Sequence, residues 1–204
     1  MRITGEWNQR NFRRITGYMQ TGMAESMGEE SYQGVKGEFA LVCPSSGTIQ
    51  VKLYASSELF PAILYQVLQE IVAEGYACRE MYVDTFKVNF SATAEEVAAM
   101  FKVRIVPVSP GTPQENAYVE SAVITIAAMS RSLMAVAPHL NGSCWGLADV
   151  NSANIHETLP QPGNNNRSPF EIKKGWAPDP DTLFIHVFEC PVQYEPHGGA
   201  LHNK

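Results

Sequence analysis

Residues 38–54 read EFALVCPSSGTIQVKLY, and this stretch decides the fold class. Glu38 to Cys43 is short and apolar, and Gly37 and Pro44 bound it. Ser45, Ser46 and Gly47 supply a turn, after which Thr48 to Tyr54 alternates apolar and polar residues. Alternation with a period of two is the mark of a half-buried strand. Two such runs joined by a short glycine-containing turn predict a hairpin.

Working outward, Leu59, Ile63, Leu64, Val67, Leu68 and Ile71 recur at helical spacing, with Ser56 or Ser57 as cap and Gly75 as terminator. Residues 78–83 predict a strand stopping at Asp84, residues 92–101 a short helix, and residues 103–108 another extended run. A loop holding Pro110, Gly111 and Pro113 leads into a long helix over 115–136, with Val119, Val123, Ile126, Met129 and Leu133 on one face. A further helix is expected over 143–157, a loop at 160–166, and one more strand over 183–190. A hairpin followed by alternating helices and strands predicts an α/β fold, a mixed sheet with helices on its faces. Upstream, residues 1–17 are polar, with Arg10, Arg13 and Arg14 close together, and read as a mobile arm. The expected organisation is an arm at 1–17, a core at 18–140, and a C-terminal helix and extension at 141–204.

Composition narrows the function. The 204 residues are 45% hydrophobic and 18% charged, which supports a packed core and excludes a disordered chain. Net charge is −6, so overall charge does not favour phosphate contacts. Cys43, Cys78, Cys144 and Cys190 are widely spaced and read as free thiols in a reducing compartment. The five histidines show no metal-binding spacing. The N-terminus has no apolar signal segment, and no apolar run of about 18 residues is evident, so nuclear or cytoplasmic residence without a membrane is expected.

Two carboxylates stand out. Asp84 ends a predicted strand, and Glu120 lies in the first turns of the predicted long helix; residues 85–119, 35 in all, separate them. Carboxylates gathered at a strand-end edge suit hard divalent cations, and a metal pair assists phosphoryl transfer. Spacing alone is a weak signal among 21 acidic residues. The plainer readings are a turn residue at 84 and an acidic first-turn residue favoured by the helix dipole at 120.

The residues around Glu120 add to this. Residues 112–120, TPQENAYVE, resemble the TPQxNGxxE stretch of copia-type retrotransposon integrases, in which the final Glu is the third catalytic carboxylate. Asp84 matches the position of the second. Ser46 and Gly47 resemble the SG pair after the family's second strand, and Trp145 the Trp of FWxEA. Leu159 and Pro160 resemble the end of NRLP, and Ser168 to Glu171 resembles TPYE. Gly175 and Pro178 resemble GxKP, and Val187, Phe188 and Cys190 resemble RVFGC. The resemblance runs from about residue 20 to residue 194. It implies a ribonuclease-H-like catalytic core for DNA integration, with a DDE motif that binds Mg2+ or Mn2+. It further implies nucleic-acid contacts at Lys87, Gln114 and Asn116, DNA as a partner, and a homodimer.

The pattern breaks where chemistry is concentrated. The family's first catalytic Asp aligns with Gly22, which offers no carboxylate. Glu25, Glu29 and Glu30 are the nearby substitutes, but residue 25 falls on the opposite face of a strand from residue 22. After Asp84 the family's turn glycine is absent, since Thr85 and Phe86 follow. After Glu120 the family's Arg and Asn are replaced by Ser121-Ala122-Val123-Ile124. The expected function is therefore an integrase core with a degenerate active site. The alternative is a non-catalytic binding or interaction protein on the same fold. Lys87, Lys102 and Arg104 could contact phosphate near the Asp84 edge, and Lys173 and Lys174 elsewhere, while the plainer reading of each is a scattered solvated charge; Trp145 reads as a core anchor.

Overall fold

The computed structural model describes residues 16–25, 31, 34–83, 92–108 and 113–179. Five strands form one mixed sheet: β1 (Thr16–Glu25), β2 (Gly37–Cys43), β3 (Thr48–Tyr54), β4 (Cys78–Val83) and β5 (Arg104–Pro107). Their order is β3-β2-β1-β4-β5. β2 runs antiparallel to β1 and β3, while β4 pairs parallel with β1 and with β5. Five helices follow the chain as α1 (Phe60–Ala73), α2 (Ala92–Met100), α3 (Pro113–Val136), α4 (Trp145–Thr158) and α5 (Pro169–Lys174). The predicted strand at 183–190 lies outside the described residues.

The hairpin forms as its residues dictate. Cys43 O accepts from the N–H groups of Ser46 and Gly47, and Gly47 takes the left-handed φ of 75° that closes the turn. β2 is buried along its whole length because helices cover both faces. Phe39, Leu41 and Cys43 face α1 and α2 with Phe60, Leu64, Val67, Met81 and Val83. Ala40 and Val42 face α3 and α4 with Ile49, Val51, Val119, Ala122, Ile126 and Ala153. Alternation thus sends successive residues of one strand into two cores.

The helix ends are locally encoded. Ser56 Oγ accepts from Glu58 N before α1, and Gly75 follows α1 with φ 83°. Its N–H reaches Val72 O while Tyr76 N–H reaches Ile71 O, a Schellman closure. α2 closes similarly with Lys102 in the left-handed position, where Val103 N–H donates to Ala98 O. Lys102 is thus a helix-terminating residue. Ser168 Oγ accepts from Glu171 N at the start of α5.

Three findings depart from the sequence reading. β1 begins at Thr16, so the last two residues assigned to the arm belong to a central strand. A short helix, α5, follows the expected loop at 160–166. In α3, Ala117–Val136 is long and apolar enough to cross a membrane by length and composition, which the sequence reading did not register. One side of it packs on β1, β2 and α4, where Val119, Ala122 and Ile126 are buried.

Candidate active site

β1 carries the first candidate position. Gly22 pairs with Ala40 across the antiparallel β1–β2 ladder. Residues directly opposite one another share a face of the sheet. Position 22 therefore lies on the α3 side, since Ala40 packs with Val119, Ala122 and Ile126. Position 25 pairs with Gly37, which falls in the alternate set with Phe39 and Leu41, so by register it belongs to the opposite face. Glu29 and Glu30 lie outside the described residues.

β4 approaches from the other side of β1. Its last described pairing sets Val83 against Thr21, the residue before Gly22. Val83 is fully buried, and Thr21 Oγ1 donates to Tyr82 O, so the two strands are tied beside position 22. Asp84 follows Val83 in the chain; it and Lys87 lie outside the described residues.

α3 brings the third. Gln114 and Asn116 fall in its first turn and Glu120 in its second. Val119 and Ala122 are buried on either side of Glu120, which is itself exposed. An exposed carboxylate on a helix whose next face is anchored to β1 and β2 is free to meet a ligand in solvent.

The resemblance implies Mg2+ or Mn2+, and the described residues do not fit such a centre. Position 22 contributes no side chain, Glu120 is a single carboxylate, and no group of three or more His, Cys, Asp or Glu is arranged to hold a metal among the described residues. Two-metal chemistry needs several oxygen ligands converging.

The basic candidates are otherwise engaged. Arg104 pairs with Glu80 on the neighbouring strand. Lys173 is mostly buried and pairs with Glu74 at 3.1 Å and Glu157 at 3.5 Å, with its ammonium over the Tyr76 ring. Glu157 and Glu74 hold the Lys173 pKa above its usual value although burial opposes this. Lys173 therefore ties the ends of α1, α4 and α5 together, which corrects its reading as a solvated charge. Lys174 lies 3.9 Å from Glu74. Trp145 opens α4 half-buried, at the rim of the core.

Sequence reading missed a second acidic group. Glu38 of β2 and Asp149 of α4 are both buried on the α3–α4 side of the sheet. Burial, then the nearby charge of Asp149, pushes the Glu38 carboxyl up to about 8. Asp149 is also raised, mainly by burial, against hydrogen bonds from Ser130 and Glu38. The available signal was a Glu in the same alternating set as Ala40 and Val42, on the inward face.

With the geometry in hand, the fold is that of retroviral integrase catalytic cores, a ribonuclease-H-like mixed sheet flanked by helices. Among solved structures, the chain is similar to the HTLV-2 integrase catalytic core domain in complex with magnesium, in its trimeric form. The TM-score is 0.60 with 14% identity, over 78% of this chain and 97% of that one. It is also similar to a chain of the simian T-cell lymphotropic virus intasome in complex with the PP2A regulatory subunit B56 gamma. There the TM-score is 0.63 with 13% identity, over 89% of this chain and 61% of that one. This chain therefore spans about three fifths of that intasome chain. No family model and no curated protein matches the chain.

Proposed function

We propose that this chain is an integrase-core-like protein of a copia-type retrotransposon whose strand-transfer centre is disabled at position 22. The carrying observation is Gly22 itself, in register with Ala40 on the face that α3 covers and one residue beyond the Thr21–Val83 pair. At that position the DDE motif needs a carboxylate. Asp84 and Glu120 remain as the other two members, and Lys87, Gln114 and Asn116 as nucleic-acid contacts. Catalytic sets act as units, so loss of one member removes most of the rate. DNA and a second copy of the chain are the proposed partners, in the nucleus or cytoplasm.

The test is strand transfer by the purified chain with donor DNA ends, target duplex and manganese. No joined product is expected. Robust joining would show a live enzyme and discard the disabled reading.

A second reading, an interaction protein without catalysis, draws on the outer side of α3. Tyr118, Ile124 and Val136 are all more than half exposed there, and no basic residue lies between Pro113 and Arg131. Phosphate contacts make DNA affinity fall steeply with salt. A DNA-binding titration that is flat in salt favours this second reading, whereas a steep one favours DNA as partner.

A further inference from the structure

Glu38 is 6% exposed, and its Oε2 is buried without a hydrogen-bond partner. Asp149, opposite it on α4, accepts a hydrogen bond on Oδ1 from Ser130 of α3, and Ser130 Oγ lies 3.1 Å from Ser152 Oγ. Glu38 pairs with Leu53 in the sheet, and the Leu53 side chain lies against Gly146, one turn before Asp149 on α4, which sets both carboxyls in one seam, where they hydrogen-bond to each other. Two carboxyls so joined cannot both be ionised, because neither would have a hydrogen to donate. The donor must be the group with the poorer support for charge. Asp149 already receives Ser130, whereas a Glu38 carboxylate would leave Oε2 charged and unpartnered in the core, which is costly. Glu38 is therefore the protonated member.

Among the described residues, no cation acts on the Glu38 carboxyl. Glu38 is flanked in the sheet by Ala24 of β1 and Leu53 of β3. Ser130 of α3 and Asp149 and Ser152 of α4 make up the rest of the polar group. Lys36, two residues earlier, and Arg131, beside Ser130, are exposed to solvent. His156, farther along the inward face of α4, is buried, and burial holds its pKa down, toward the neutral form. Among the described residues, the charge that acts on Glu38 is that of Asp149.

We propose that Glu38 and Asp149 share one proton and form a pH-dependent latch joining β2 to the α3–α4 helix pair. With the proton in place, Glu38 donates to Asp149, and Ser130 completes the bridge from sheet to both helices. Without it, two adjacent negative charges face each other in a buried seam, and the bridge becomes a repulsion. The seam lies on the face of Gly22 and Ala40, with Glu38 two residues along β2 from Ala40. The proposal stands independently of any catalytic reading.

The sign follows from linkage. The folded Glu38 carboxyl titrates near 8, against 4.5 as the ordinary value. The folded state then holds an extra proton between those limits. Stability is highest below the lower limit, falls as pH rises through the window, and levels off above the upper one. The folding constant drops up to about tenfold per pH unit from this group.

Infrared titration of the intact chain tests the proposal. The expected result is a protonated-carboxyl stretch at pH 7 that disappears with a midpoint near 8 and is missing from Glu38→Gln. Absence of the band in wild type at pH 7, or its survival in Glu38→Gln with the same titration, overturns the proposal. Urea denaturation gives a second readout, in which the excess pH slope of wild type vanishes in Glu38→Gln. Should that variant not fold, Asp149→Asn replaces it, because removing the Asp149 charge must move the infrared midpoint down. An unmoved midpoint overturns the pairing.

Discussion

Gly22 of β1 stands directly across the antiparallel ladder from Ala40 of β2, on the sheet face that α3 covers. A carboxylate introduced at this position enters the face on which α3 and Glu120 lie. Gly22→Asp is therefore expected to gain metal-dependent stabilisation that wild type lacks. At a manganese concentration a hundredfold above Kd, the gain is about 2.7 kcal/mol, or roughly 5–10 °C in Tm for a chain of this size. Thermal melts of both proteins across a manganese series check this. Equal responses would mean that residue 22 is not the missing ligand.

Glu120 is the partner that this restored site requires. Its side chain is exposed, so Glu120→Gln alone should change stability by less than about 0.5 kcal/mol. In the Gly22→Asp background the same change should abolish most of the manganese shift. A double variant that keeps the full shift would place the metal elsewhere.

How much of this was legible in the sequence depended on periodicity. The hairpin, α1, β4, α2 and α3 appear within about two residues of their predicted limits, because each carries a clear period or a bounding cap. β1 carried neither. Its residues TGYMQTGMAE mix glycines, Thr and Gln, and its place is set by pairing with both β2 and β4. Only the resemblance suggested a strand there. α5 spans six residues, too few for a period to show, although the Ser168 cap and Pro169 foretell its start. Of the candidate site, Gly22 lies in β1 and Glu120 in the second turn of α3, while Asp84 lies outside the described residues. Of the charged residues that matter inside, Asp149 and Lys173 were invisible because burial of a charge depends on partners distant in sequence, and Glu38 showed only as a Glu in the inward-facing set of β2.

Ile124 and Ile126 test the two sides of α3. Ile126 is 1% exposed in the core with Ala40 and Val42, whereas Ile124 is 69% exposed. Ile126→Ala should cost about 2–5 kcal/mol through lost burial and the cavity left behind. Ile124→Ala should stay within about 0.5 kcal/mol. Urea midpoints of the two variants decide it. A large loss at Ile124 would mean that this face is covered in solution, which would favour self-association or another partner.

Lys173 gives a prediction with a definite pH sign. Its side chain is 13% exposed and its ammonium supports Glu157, whose side chain is 20% exposed and whose Oε2 is buried without a partner. Burial raises the Glu157 pKa even though Lys173 lowers it. Lys173→Ala removes the cation and leaves a buried carboxylate beside Glu74, at a cost of about 3 kcal/mol near neutral pH. A group whose folded pKa is raised loses stability as pH rises above its unfolded pKa. Without Lys173 that rise is larger, so the variant's deficit should grow from pH 4 to pH 8 and narrow where Glu157 is protonated in both states. Lys173 itself, raised in the folded state, contributes stability that is complete below its unfolded pKa and is lost as pH climbs through the folded one. Wild type should accordingly lose this increment only in strongly alkaline solution. Urea denaturation of both proteins at pH 4, 6 and 8 measures the difference. A deficit that stays constant across the series would show that Lys173 acts through packing of its alkyl stem on Tyr76, not through its charge.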